Sequence, residues 1–309
     1  MECYLVTGGG GFIGSNIVEN LLVKGKKVKV LDNFSTGRRT NLTAFLSDIE
    51  LIEGDIRSYH TVRNAVRGVD FILHQAALPS VPRSVTDPIT TNDVNVTGTL
   101  NLLHAAVDAK VKRLVYASSS SVYGDNPISP KVETLTPNPK SPYAVSKLTA
   151  EYYCKVFYQI YGLETVCLRY FNVFGPRQDP TSQYSAVIPK FVKAIKGGQS
   201  PIIYGDGSQS RDFTFVANNV AANLLACERQ GVAGQAFNIA CGTNFTLMDL
   251  VKNINEIMGK DIKPAFEQAR TGDILHSLAG IELAKKELGY APSVDFKQGL
   301  KLLIEKFED

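Results

Sequence analysis

The run Thr7-Gly8-Gly9-Gly10-Gly11-Phe12-Ile13-Gly14 constrains this chain more tightly than any other feature. An apolar strand-like run, residues 3–7, leads into it, and an amphipathic helical pattern, residues 13–23, leaves it. Glycines at such a strand-to-helix turn let the backbone bend sharply, approach a pyrophosphate, and pack helix against sheet, with the phosphates on the positive helix N-terminus. Two registers fit, Gly8/Gly11/Gly14 and Gly9/Gly11/Gly14. A glycine string alone is a weak signal. Asp32 strengthens it, because it ends a second strand-like run eighteen residues beyond Gly14, the spacing of an acid that binds adenosine ribose hydroxyls. A carboxylate there repels a 2′-phosphate, which favours NAD over NADP.

The rhythm of the first half agrees. Strand-like runs at 3–7, 27–31, 49–53, 69–74, 113–118 and 165–170 alternate with helical patterns at 13–23, 59–66, 94–109 and 144–161. Such alternation calls for right-handed crossovers and a doubly wound parallel sheet covered on both faces, an α/β fold of Rossmann type. After residue 171 the pattern breaks into an irregular stretch at 172–183, a helix at 188–196, turns at 197–209, a helix from 217, a strand near 236–240, and mainly helices at 247–258 and 278–307. The expected layout is a dinucleotide domain, residues 1–171 with 213–241 returning to it, and a smaller, mainly helical substrate domain in 172–309.

Thirty-three basic and 30 acidic residues are dispersed among 309, with no dense basic run, so neither nucleic acid nor an anionic membrane is indicated as partner. Five widely spaced cysteines with no C-x-x-C read as buried free thiols of a reducing compartment. The N-terminus reads as a strand, and no apolar stretch reaches the length of a membrane span, so a soluble, cytoplasmic protein is expected. His60, His74, His104 and His276 show no metal spacing, so no metal is expected; His74 is expected to finish a buried strand.

Ser118-Ser119-Ser120-Ser121 follows the fifth strand, at the end of the sheet where ligands bind. Tyr143 and Lys147 form Y-x-x-x-K, which puts both side chains on one helix face, a turn apart. Alone the pair means little; beside a strand-end serine in a dinucleotide fold it has a chemical reason. A free phenol has a pKa of about 10, and a nearby ammonium and a cationic nicotinamide both favour its phenolate, making it a usable base. A serine hydroxyl can hold the same substrate oxygen.

These motifs, with Asp32-Asn33, Gly54-Asp55-Ile56, His74-Gln75-Ala76-Ala77 and Asn95-Val96-Thr97-Gly98-Thr99, resemble the extended short-chain dehydrogenase/reductases over nearly the whole chain. The resemblance implies tightly held NAD, with Gly8, Gly11, Phe12, Ile13 and Gly14 at its phosphates, Asp32 and Asn33 at the adenosine ribose, Asp55 and Ile56 at the adenine, and Ala76 and Ala77 along its backbone. It further places Asn95, Tyr143, Lys147 and Tyr170 around the cofactor, gives Ser119, Tyr143 and Lys147 the catalytic roles, and implies a homodimer built on helices near 94–109 and 144–161.

Members of that family oxidise C4 of nucleotide sugars. Its dehydratases carry an Asp-Glu pair just after the active-site hydroxyl residue and its decarboxylases a Glu; here those positions are Ser120 and Ser121. A site without that extra acid can remove a hydride and return it, which is the work of a 4-epimerase. The resemblance also assigns substrate contacts to Ser80, Ser120, Ser121, Asn172, Arg211, Arg270, Asp273 and Ser277. Arg211 and Arg270 would clamp a pyrophosphate, and Asp273 would accept from a uridine ribose hydroxyl. The small Ser277 leaves room for an N-acetyl group, so UDP-GlcNAc and UDP-GalNAc are expected beside UDP-Glc and UDP-Gal. Pro79 departs from the glycine frequent in N-acetylhexosamine enzymes and stiffens the pocket wall. Rival readings are a UDP-glucuronate 4-epimerase, whose relatives usually have Thr at position 172, another NAD-dependent nucleotide-sugar oxidoreductase of this fold, and a dinucleotide-sensing protein without turnover.

Overall fold

A computed structural model describes residues 1–179, 187–268 and 275–307. Its centre is a seven-stranded, wholly parallel sheet. Strands β1 (Cys3–Thr7), β2 (Lys27–Asp32), β3 (Ile49–Glu53), β4 (Phe71–His74), β5 (Arg113–Ser119), β6 (Glu164–Tyr170) and β11 (Gln235–Ile239) lie in the order β11-β6-β5-β4-β1-β2-β3. All five residues of β1 are buried, the all-apolar signature of a strand covered on both faces. The order reverses between β1 and β4, which pair through Thr7 and His74 at their C-terminal ends. A crevice opens at such a switch point, and the glycine run leaves β1 into it.

Helices α1 (Phe12–Val23), α2 (Tyr59–Ala65), α5 (Gly98–Asp108) and α6 (Pro142–Tyr161) fill the crossovers. The twenty-residue α6 starts where the Ser141 side chain accepts from Ala144 N–H, with Pro142 in the first turn, and ends at Gly162 in the left-handed region at φ 71°. Two short helices, α3 (Val81–Thr86) and α4 (Pro88–Asn92), and a π-turn at 93–97 follow β4, where the sequence pattern predicts helix only from 94. Prolines near their starts and the caps Ser80 and Asp87 punctuate the stretch and hide its helical period.

The remaining elements form a smaller lobe beyond the strand ends. Pairs β7 (Val173–Phe174) with β10 (Thr214–Phe215) and β8 (Ile202–Tyr204) with β13 (Ala265–Glu267) are parallel. Strand β9 (Ser210–Arg211) lies between β12 (Phe245–Thr246) and β14 (His276–Ser277). Helices α7 (Val187–Lys196), α9 (Leu247–Met258) and α10 (Phe296–Glu305) complete it, while α8 (Val216–Glu228) packs back on α1 and on β5, β6 and β11 of the central sheet. The segment 278–307, predicted mainly helical, holds only a π-turn at 284–288 before α10, and β8 lies inside the predicted turn region 197–209. One apolar core spans both lobes, joining Val6 and Leu168 of the sheet to Phe174, Phe215 and Phe296. Each such side chain contributes about 1.5–3 kcal/mol through burial, so the crevice has a firm floor.

Candidate active site

The glycine loop settles into the Gly8/Gly11/Gly14 register. Gly8 sits at φ 68° with a virtual Cβ 2.7 Å from Ala76 N, and its carbonyl accepts from Gly11 N–H at 3.0 Å. A Cβ on Gly14 would lie 2.1 Å from Gly8 O, so any side chain there would push α1 off the loop. Gly8, Gly11 and Gly14 line the crevice, whereas Gly9 faces Val30 of the core. Helix α1 begins with no side-chain cap and no acid in its first turn, which leaves its N–H groups and positive dipole end for an anion.

A cavity of about 390 Å³ runs from this loop along the strand ends. Asp32, Asn33, Asp55 and Ile56 line one end, and Tyr143, Lys147 and Tyr170 the other, with Phe12, Ile13, Ala76, Ala77 and Ser80 between. Asp32 is buried, and its carboxylate accepts from Gly10 N–H (2.8 Å) and Phe34 N–H (2.7 Å); burial pushes its pKa up against those two bonds. Asp55 is held down to about 2 by the Arg57 guanidinium, which bonds it, and it accepts from Asn33 Nδ2 at 2.9 Å. These features fit a dinucleotide: a bare helix end for phosphates and a carboxylate with free lone pairs for ribose hydroxyls.

Tyr143 and Lys147 stand in the first two turns of α6, facing the end of β5. Lys147 Nζ donates to Ala117 O at 2.8 Å, and burial lowers its pKa to about 8 although Glu151 and Cys154 push it back up. The Tyr143 phenol is raised by burial, with its hydrogen bond to Ser119 working against that rise. Burial outweighs that bond, which favours the neutral phenol in the ligand-free chain. Asn95, in the π-turn, locks this corner. Its Oδ1 accepts from Leu78 N–H (2.8 Å), and its Nδ2 donates to Leu78 O (3.2 Å) and to Ser146 Oγ (3.0 Å) on α6. His74 is buried between the hydroxyls of Thr7 (2.7 Å) and Thr99 (2.9 Å), and burial drives its pKa to about 3, so it is a neutral structural residue.

Ser120 and Ser121 start a short 3₁₀ turn after Ser119, and the buried Ser121 Oγ has no partner among the described residues. Ser80 caps α3 at φ 96°, a strained backbone for a serine, on the cavity wall. Asn172 also takes a positive φ, 35°, which asparagine tolerates better than the β-branched threonine, and its Nδ2 donates to Asp212 O. A second cavity of about 540 Å³ in the smaller lobe is lined by Asn172 and Arg211 together with Val187, Phe191, Tyr204 and Gln209. Arg211 and Ser277 are register partners in adjacent strands. Arg270 and Asp273 lie outside the described residues.

Sequence reasoning misses the apolar half of this second cavity, because its members come from α7 and β8 and carry no motif. It also misses Gln75 and Asn223, whose side chains meet the Tyr170 hydroxyl at 3.2 and 2.7 Å. Long-range pairs of that kind leave no local signal. Asp212, the neighbour of Arg211, is a buried hub rather than a ligand group. Its carboxylate accepts from Cys241, Gly242 and Ala279 N–H, and burial pushes its pKa up to about 6.

Residues 4–240 match the NAD dependent epimerase/dehydratase family. The UDP-glucose 4-epimerase of Mycolicibacterium smegmatis is 38% identical over 309 residues, covering 99% of this chain and 98% of that one. A UDP-N-acetylglucosamine 4-epimerase from Methanobrevibacter ruminantium, solved with UDP-N-acetylmuramic acid, superposes with a TM-score of 0.94 at 40% identity, over 99% and 97% of the chains. The Thermus thermophilus UDP-glucose 4-epimerase, solved with NAD, gives 0.89 at 37% identity over 98% of both.

Proposed function

Because the chain belongs to the NAD dependent epimerase/dehydratase family, we propose that it is a UDP-hexose 4-epimerase that works through a 4-keto sugar with NAD held throughout. The observation that carries this reading is that, among the described residues lining the crevice, no acid stands beside Tyr143. The carboxylates lining the crevice are Asp32, Asp55 and Asp179, and the first two belong to the opposite end while Asp179 pairs with Arg38 at 2.6 Å. With Ser120 and Ser121 following Ser119, the described residues of this corner offer no carboxyl to drive elimination.

Gly8, Gly11 and Gly14 with Phe12 and Ile13 would hold the cofactor's phosphates, Asp32 and Asn33 the adenosine ribose, Asp55 and Ile56 the adenine, and Ala76, Ala77, Lys147 and Tyr170 the rest, with the buried Asn95, which the sequence places around the cofactor, bracing Leu78 and Ser146 behind them. Bound there, NAD would supply a hydride acceptor and donor for C4 and a positive charge beside Tyr143. Tyr143, as phenolate, takes the O4 proton while Ser119 holds that oxygen, and Tyr143 returns the proton once the other face of the ketone has been presented. Lys147 stabilises the phenolate electrostatically. The turnover needs a firm grip on the nucleotide and a loose one on the sugar. The smaller-lobe cavity suits that grip, with apolar walls for a planar base, the unpartnered Gln209 Oε1 for an N–H, and Arg211 for phosphate. Arg270 and Asp273 are assigned to the same grip by sequence alone, and Ser80, Ser120, Ser121, Asn172 and Ser277 to the sugar side.

The same reading divides the chain into a cofactor part, 1–171 with 213–241, and a mainly substrate-binding part in 172–309. It also implies a homodimer. Exposed Val85 and Ile89 on the α3–α4 stretch and Val145, Tyr152 and Val156 on α6 supply an apolar face, whereas α5 exposes polar His104 and Asp108. Five free cysteines suit a reducing compartment, and we place the enzyme in the cytoplasm; among the described residues no helix is long and apolar enough to cross a membrane.

The test is product analysis after incubation, without added NAD, with UDP-GalNAc and separately with UDP-Gal. Conversion of both to their C4 epimers is expected. Conversion of UDP-Gal alone would keep the mechanism and sink the Ser277 argument, and inertness of both, even with NAD supplied, would overturn the substrate assignment.

A further inference from the structure

Directly beneath the catalytic corner lies a buried polar chain that the proposed chemistry does not use. Ser118 and Arg169 are register partners in β5 and β6, each one residue before Ser119 and the cavity-lining Tyr170, themselves partners. Both reach Glu151 on α6, one turn beyond Lys147 and two beyond Tyr143. Glu151 Oε1 accepts from Ser118 Oγ and from Arg169 Nε (3.0 Å), and Oε2 accepts from Arg169 Nη2 (2.7 Å). Arg169 Nη1 donates to the Tyr123 hydroxyl at 2.9 Å, and that hydroxyl donates to Asn238 Oδ1 at 2.7 Å. Asn238 Nδ2 in turn donates to Lys131 O and Gly280 O. Ser118, Tyr123, Glu151, Arg169 and Asn238 are all buried.

A buried ion pair is a poor way to gain stability, because desolvating both charges offsets their attraction. A forked guanidinium–carboxylate contact does fix distance and orientation. Here it joins the helix carrying Tyr143 and Lys147 to the two strand ends and to the 3₁₀ turn that starts after Ser119. We propose that Glu151 is a positioning residue which, gripped by Ser118 and the fork of Arg169, sets the register of α6 against β5 and β6 so that Tyr143 meets the C4 hydroxyl with Lys147 beside it. Its charge also acts on Lys147, whose other polar and titratable neighbours are Tyr143 and Cys154 on α6, Tyr116 on β5, His74 on β4, and Arg169 on β6 by way of Glu151. Among these, Glu151 is the largest influence that keeps the ammonium protonated against burial.

The inference rests on the epimerase reading for its kinetic arm only. The variant Glu151→Gln/Arg169→Met removes both charges together, so no lone buried charge remains. Its holoenzyme is compared with the parent for kcat and KM on UDP-galactose, bound NAD after purification, and thermal unfolding. The Lys147 titration is followed separately by NMR of the ligand-free, lysine-labelled protein. Expected are a loss of about 10–100-fold in kcat with KM and bound NAD nearly unchanged, and a Lys147 titration moved to lower pH. An unchanged kcat and an unchanged titration in a normally folded variant would overturn the proposal, as would a kcat loss that tracks lost stability and lost NAD. An inactive parent would count against the epimerase reading, while the titration would still judge Glu151. If the double variant fails to fold, Ser118→Ala takes its place: it loosens one anchor without altering charge, and a kcat equal to the parent's would overturn the proposal.

Discussion

Lys147 shows how one residue carries opposing demands. The proposed mechanism calls for its ammonium beside Tyr143, yet burial lowers its pKa to about 8, from an ordinary value near 10.5. The folded chain therefore binds fewer protons than the unfolded one between about pH 8 and pH 10.4, and stability rises with pH across that window. Below it the cost of burying the charge is fully present. Lys147→Met should make the ligand-free chain more stable at pH 7, by about 1–2 kcal/mol after allowing for the lost bond to Ala117 O, with the gap narrowing as pH rises from 8 to 10. Urea unfolding at pH 7 and 9.5 checks this, and the same variant should have almost no turnover. At this scale the sequence was informative wherever a spacing carried chemistry: Gly8 to Gly14, Asp32 after the second strand, and Tyr143 with Lys147 on one helix face. It was silent on Glu151 with Arg169 and on Tyr170 with Asn223, since those partners stand eighteen and 53 residues apart.

Helix α6 shows why elements were easier to read than their neighbours. Ser141-Pro142 at its start and Gly162 at its end bound a twenty-residue pattern that no turn signal interrupts. By contrast, α3 and α4 have six and five residues, too few to show a period, and β8 is three residues long within a run of turn formers. The helix also works on two sides. Lys147, Glu151 and Cys154 face the sheet, while Val145, Tyr152 and Val156 face outward. An apolar face of that kind is the one expected to meet a second copy. Val145→Glu with Tyr152→Glu should therefore convert a dimer in sedimentation velocity to a monomer; a parent already monomeric at micromolar concentration would remove the dimer from the account.

For the whole molecule, the switch point between β1 and β4 and the smaller lobe beyond the strand ends put a dinucleotide cavity beside a second, partly apolar one. The parallel sheet was legible because its strands read as short apolar or alternating runs, and the helices expected at 188–196 and 247–258 of the lobe are present; the lobe's two- and three-residue strands were not legible, because they pair across long separations and carry no period. The central claim is that C4 loses its hydrogen as a hydride and regains the same one, with Tyr143 moving only the O4 proton. Epimerisation of UDP-galactose in heavy water, followed by NMR of the product, tests it most directly. A product with no deuterium at C4 is predicted, because the hydrogen never meets solvent. Deuterium at C4 would mean that it left as a proton, and the account of this site would be wrong.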